Sequence, residues 1–137
     1  MDGTHRGDPM NIIYIDDDAT NRTVVQGMLA AAGLSMAEAA DARTGLRMVD
    51  ENDYSLVVMD LRMPEMNGLT AIRQLRVRTD HKGRVPILVL TADLTPGVCA
   101  MCRSAGANSF LEKPVSMEQL FDVIGTIMVG NKAFVLN

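Results

Sequence analysis

The chain has 137 residues, 47% of them apolar and 22% charged, with mean hydropathy +0.09 and a formal charge of −4 at pH 7. That length and balance describe one folded domain with a sizeable core and exclude a disordered polar chain. No apolar run approaches the roughly 20 residues of a membrane helix, and Lys and Arg form no cluster, so neither a bilayer nor direct nucleic-acid binding is expected. The opening MDGTHRGDPMN has no apolar signal core, which leaves a cytoplasmic location as the expectation.

In chain order, residues 1–9 read as a loose leader and 10–130 as the domain, with 131–137 as a tail. NIIYI is a short apolar, β-branched run and predicts a buried strand. ATNRTVVQGMLAAAG places Val24, Val25, Met28, Leu29 and Ala32 on a helical period and ends on Gly33. LSMAEA is a weak strand, and DARTGLRMVDEN a helix with Ala42, Leu46 and Val49 inward behind a capping Asp41. SLVVM is a fully apolar strand that runs into Asp60. GLTAIRQLRVR is a helix with Leu69, Ile72 and Leu75 inward, and VPILVL is the next buried strand, with Pro86 at its start.

TPGVCAMCRSAGA is a short helix with Thr95 capping and Pro96 in its first turn, and SFLE is a short strand. The last helix opens on Ser116 and Gln119, a capping box, and presents Leu120, Phe121, Ile124, Ile127 and Met128 on one face. Cys99 and Cys102 have a C-x-x-C spacing, but the only histidines, His5 and His81, are distant in sequence and no second cysteine pair completes a zinc site. We read the pair as two small helix residues. Five alternations of strand and helix ask for an α/β fold: a five-stranded parallel sheet, doubly wound, in the flavodoxin-like order 2-1-3-4-5 with five helices.

In such sheets the functional site lies beyond the carboxyl ends of the strands. There the first strand delivers Asp16, Asp17 and Asp18, the third Asp60, the fourth Thr91 and the fifth Lys113 and Pro114. The second strand delivers only Ala39 and Ala40. Asp18 is read as a helix cap. Asp16, Asp17 and Asp60 together carry −3, which Lys113 reduces to −2 and a divalent cation to zero. Oxygen ligands favour Mg²⁺, and a site so balanced can hold a phosphoryl group beside a nucleophilic Asp60.

The segments IDDDATNR, VVMDLRMPEMNGL, ILVLTAD and GANSFLEKPV, spread over residues 11–129, resemble the receiver domains of two-component response regulators, the CheY-like superfamily. The resemblance implies that Asp60 accepts a phosphoryl group from a phosphohistidine on a sensor histidine kinase or His phosphotransfer protein. It implies Mg²⁺, with Mn²⁺ able to substitute, held by Asp17, Asp60 and the Arg62 backbone carbonyl, with Asp16 acting through water. Thr91 and Lys113 would bind phosphoryl oxygens. Phe110 matches the switch aromatic that moves with Thr91, and Pro114 a position whose peptide is usually cis.

Output, to a downstream target or a dimer, would pass through the surface of helix four, strand five and helix five. The chain would not be a turnover enzyme, although it would catalyse its own aspartyl phosphorylation and dephosphorylation. Phe110 lacks the hydroxyl of the tyrosine variant, the fourth helix is short, and the CAMC pair is no family motif. Arg62 and Asp93, each two residues beyond a site residue, are expected to flank the mouth and tune phosphate lifetime.

Three other classes compete. A phosphatase of the haloacid dehalogenase type needs a second Asp where Arg62 stands. A flavin carrier wants a phosphate loop after the first strand rather than three aspartates. A phosphorylation-independent binding module would be expected to have lost part of the site. The DDDATNR and EKPV phrasing also resembles receivers of hybrid histidine kinases, which pass phosphate on to a His phosphotransfer protein.

Overall fold

A computed structural model describes residues 10–130, so the leader 1–9 and the tail 131–137 fall outside the described residues. Five strands, β1 (Asn11–Ile15), β2 (Ser35–Ala39), β3 (Leu56–Asp60), β4 (Ile87–Thr91) and β5 (Ser109–Glu112), form one parallel sheet in the order β2-β1-β3-β4-β5. They alternate with helices α1 (Ala19–Ala31), α2 (Ala42–Glu51), α3 (Gly68–Arg76), α4 (Pro96–Ala105) and α5 (Met117–Gly130). Fold class and strand order are those expected.

Strand periodicity sorts the side chains between two cores. Ile13, Ile15, Val57, Met59, Ile87 and Val89 meet α2, α3 and α4, whereas Ile12, Tyr14, Leu56, Val58, Leu88 and Leu90 meet α1 and α5. β3 and β4 are buried along their whole length because helices cover both faces. At roughly 25 cal/mol per Å² of apolar surface removed from water, these two layers supply most of the driving force for folding.

The helix ends form as their caps require. Asp18 accepts from the amides of Thr20 and Asn21, Asp41 from Thr44, and Thr95 from Val98, with Pro96 in the first turn of α4. Ser116 and Gln119 cap α5 reciprocally, each bond 3.0 Å. Gly33 ends α1 at φ +78°, a conformation an L side chain resists.

Three local expectations need correction. On α1 only Val25 and Leu29 are buried; Val24 is 50% exposed, Met28 half-buried and Ala32 exposed. A single i, i+4 pair meets the sheet, and Val24 instead borders a groove shared with Ala92, Pro114 and Val115. Helix α3 stops at Arg76 rather than continuing to Arg78, and a 3-10 turn not foreseen in the sequence spans His81–Arg84. Both follow from Arg76, whose Nε donates to the Gly106 carbonyl, Nη1 to those of Gly83 and Val85, and Nη2 to Asn108 Oδ1, at 2.7 to 2.9 Å. The same Asn108 oxygen accepts from the Ile87 amide that begins β4.

No helix among the described residues is long and apolar enough to cross a membrane.

Candidate functional site

The carboxyl ends of β1, β3, β4 and β5 meet on one rim. Carboxylate oxygens of Asp16, Asp17 and Asp60 lie within 4.8 Å of one another. Asp16 and Asp60 are buried and Asp17 is exposed. Lys113 Nζ stands 3.0 Å from Asp16 and 3.4 Å from Asp60, and the Lys113 amide donates to the Thr91 carbonyl at 2.8 Å. The strand pairing that puts Thr91 opposite Glu112 therefore also delivers the lysine.

The two buried acids are held differently. Asp16 is inaccessible to solvent, and its backbone amide is tied to Ala39. Its Oδ1 accepts the Asp18 amide at 2.9 Å. Its Oδ2 accepts the Tyr14 hydroxyl at 2.6 Å, Lys113 Nζ at 3.0 Å and Asn21 Nδ2 at 3.3 Å. Burial would raise this carboxyl, but the Tyr14 hydroxyl, the Asp18 amide and Lys113 outweigh it and hold Asp16 below the usual range. Asp60 shows the opposite balance. Burial raises it and Asp16 adds to the rise, which Lys113 and the Arg62 backbone N–H only partly offset. The Tyr14 hydroxyl itself is pushed up by burial and by its bond to Asp16.

Asp60 is set in place from behind by Gly68. A Cβ at that position would come within 2.3 Å of the Asp60 carbonyl oxygen and 2.9 Å of Leu61 Cα. The preceding Asn67 caps α3 through Thr70. The Asn-Gly pair thus lets a helix begin against the backbone that carries the acid.

The other expected residues fall as follows. Thr91 ends β4, 2% exposed, and its Oγ1 accepts the Asp93 amide at 3.4 Å. Phe110 lies half-buried on β5 on the α2–α4 face, and the Arg103 guanidinium of α4 sits over its ring, 5.0 Å from the centroid. The Lys113–Pro114 peptide is cis. Arg62 and Asp93 form an exposed ion pair beside the site. Asp18 serves as the cap it was expected to be. Cys102 is buried and Cys99 half-buried; both are free thiols, and burial pushes the Cys102 thiol up.

Sequence reasoning passed over Tyr14 and Asn21. A polar-tipped aromatic in an otherwise aliphatic strand, two residues before an acid and so on its face, was the available signal.

The donor set fits a magnesium ion: three clustered carboxylates with one neighbouring ammonium leave an excess of negative charge that a hard divalent cation balances.

Comparison with known proteins places this geometry. Residues 12–125 match the family model of the response regulator receiver domain. The sensory/regulatory protein RpfC of Xanthomonas campestris pv. campestris is 39% identical over 124 residues, spanning 90% of this chain and 17% of that protein. The response regulator MprA of Mycolicibacterium vanbaalenii is 36% identical over 112 residues, 82% of this chain and 47% of that one. The chain thus spans less than half the length of either relative. Among solved structures, the receiver domain of a Pseudomonas aeruginosa sensor histidine kinase, with a magnesium ion coordinated in its active-site cleft, superposes with a TM-score of 0.77 at 32% identity, covering 85% of this chain and 94% of that one. A Vibrio cholerae chemotaxis protein, CheY4, superposes with a TM-score of 0.81 at 26% identity, covering 87% and 98%.

Proposed function

The chain belongs to the response regulator receiver domain family, and from that premise we propose that Asp60 accepts a phosphoryl group from a phosphohistidine donor. A carboxylate oxygen of Asp60 attacks phosphorus, an oxygen–phosphorus bond forms, and the nitrogen–phosphorus bond breaks with its electron pair going to the donor imidazole. The observation that supports this best is a buried strand-end carboxylate 3.4 Å from a lysine ammonium, with two further carboxylates beside it. Burial strips water from the nucleophile, and Lys113 stands ready to take a phosphoryl oxygen while Thr91 offers its hydroxyl to another.

Asp17, Asp60 and the Arg62 carbonyl, with Asp16 through water, would hold Mg²⁺ or Mn²⁺, which when bound supplies positive charge against the phosphoryl oxygens. Thr91 and Phe110 share the α2–α4 face by strand parity, so a Thr91 drawn toward the phosphoryl group leaves space that Phe110 can enter. That change would alter the surface of α4, β5 and α5, where a target protein or a second copy would read it.

RpfC is a sensory/regulatory protein of which this chain spans 17%, and the Pseudomonas aeruginosa receiver is a domain of a sensor histidine kinase. That context favours a donor that is a sensor histidine kinase and an acceptor that is a His phosphotransfer protein.

The direct test is labelling with acetyl phosphate and Mg²⁺. One hydroxylamine-labile phosphate is expected, lost in Asp60→Asn with the fold retained by circular dichroism. Labelling that persists in Asp60→Asn would overturn the assignment.

A further inference from the structure

Four donors converge on the carboxylate of Asp16, and only Lys113 among them has a part in the proposed transfer. A carboxylate oxygen has two lone pairs, so the Tyr14 hydroxyl, Lys113 and Asn21 together saturate Oδ2. No cation can take that oxygen directly without displacing a donor. Asn21 sits at the long end of the hydrogen-bond range and Lys113 is held by opposite charge, so with Tyr14 in place a cation must displace both to free one lone pair, and without it only Asn21. Tyr14 differs. Its bond is the shortest of the three, and its ring is locked in the α1–α5 core with Val25, Leu29 and Leu90. It cannot swing aside.

Phenylalanine would fill the same space, so the core has no need of the hydroxyl. Among the described residues its one hydrogen bond goes to Asp16. We infer that Tyr14 is a positioning residue that keeps Asp16 Oδ2 out of direct coordination and thereby sets which divalent ion the site accepts. This rests on the cation site proposed above for Asp16, Asp17 and Asp60. Mg²⁺ keeps several of its waters and tolerates a carboxylate that reaches it through one. Ca²⁺ takes six to eight oxygen ligands and gains from each further carboxylate oxygen offered. The hydroxyl therefore discriminates against the larger ion by withholding a ligand.

The test is calorimetric titration of wild type and Tyr14→Phe with Mg²⁺ and Ca²⁺ separately, beside electron paramagnetic resonance of bound Mn²⁺ in ¹⁷O-labelled water. In Tyr14→Phe the ratio of Ca²⁺ to Mg²⁺ affinity should rise about tenfold, the worth of one hydrogen bond to a charged group. The Mn²⁺ ion should lose one bound water. Asn21→Ala removes a weaker donor from half-buried α1 and should shift the ratio the same way by less; it decides the matter if Tyr14→Phe does not fold. An unchanged ratio with unchanged Mn²⁺ hydration, or equal weakening of both ions, overturns the inference, since a merely structural hydroxyl gives one of these. Wild-type protein that binds no divalent ion overturns the cation site and this inference together.

Discussion

Asp60 holds a charge that its surroundings resist, and Asp16, beside it, one that they favour. The two should therefore respond to pH with opposite sign. The folded-state pKa of Asp60 is raised, so its contribution to stability is full below the ordinary carboxylate value and is lost as pH rises through the raised one. In metal-free buffer at pH 7, Asp60→Asn should raise the urea midpoint, and the gain should vanish near pH 3. The pKa of Asp16 is depressed, so its contribution is present above the unfolded value and lost as pH falls through the folded one. Asp16→Asn should cost about 2 kcal/mol at pH 7, since it leaves buried donors short of an acceptor, and progressively less in acid.

Arg62 and Asp93 are 73% and 51% exposed, so their pairing adds only about 0 to 1 kcal/mol to stability. Blocking the path of a hydrolytic water needs occupancy rather than binding energy. Arg62→Ala and Asp93→Ala should each speed loss of phosphate from Asp60, less than additively together, as measured by decay of the labelled protein. The rim itself was legible in the sequence because Asp16, Asp17 and Asp60 follow apolar runs and Lys113 follows the short SFLE strand. The bond from Tyr14 to Asp16 was not, because a tyrosine in a buried strand reads first as packing.

At the scale of elements, two glycines separate by what surrounds them. Gly68 abuts the backbone of Asp60 and Leu61, which cannot yield as a side-chain tip would. Gly68→Ala should cost about 1 to 3 kcal/mol and slow phosphorylation by displacing the strand end. Gly125, inside α5, has no atom of the described residues within 4 Å of where a Cβ would stand. Gly125→Ala should stabilise by about 1 kcal/mol with phosphorylation unchanged. Urea titrations and acetyl phosphate labelling of both variants check the pair.

The capped helices and fully apolar strands could be read directly, since their signals are local: Asp41, Thr95 and the Ser116–Gln119 box each act within one turn. The end of α3 and the turn at His81–Arg84 could not. Their cause is Arg76, and most of its partners are backbone carbonyls, which every residue possesses and no sequence pattern marks. The exposure of Val24 was hidden for a related reason: helical period shows which residues share a face, not how wide a strip of it meets the sheet.

For the whole molecule, a ligand that binds only the folded state stabilises it by mass action. At ten times its dissociation constant, Mg²⁺ should add about 1.4 kcal/mol, and Asp17→Asn should abolish most of that gain in thermal melts. Arg76 acts on the same scale, because one guanidinium joins α3, the 3-10 turn, the start of β4 through Asn108, and the end of α4. Lysine is a point charge and cannot serve four acceptors in a plane, so Arg76→Lys should cost about 2 kcal/mol in urea titrations.

The arrangement also makes α4 a lever with its fulcrum at Gly106. That end is bolted down by Arg76, whereas the other, at Thr95, follows β4 by a short loop. Ten residues make an arm about 15 Å long. Under the proposed switch, a push that begins at Thr91 would reach the arm at its far tip, so α4 should swing rather than slide, with its surface changing most beside the site and least beside Arg76.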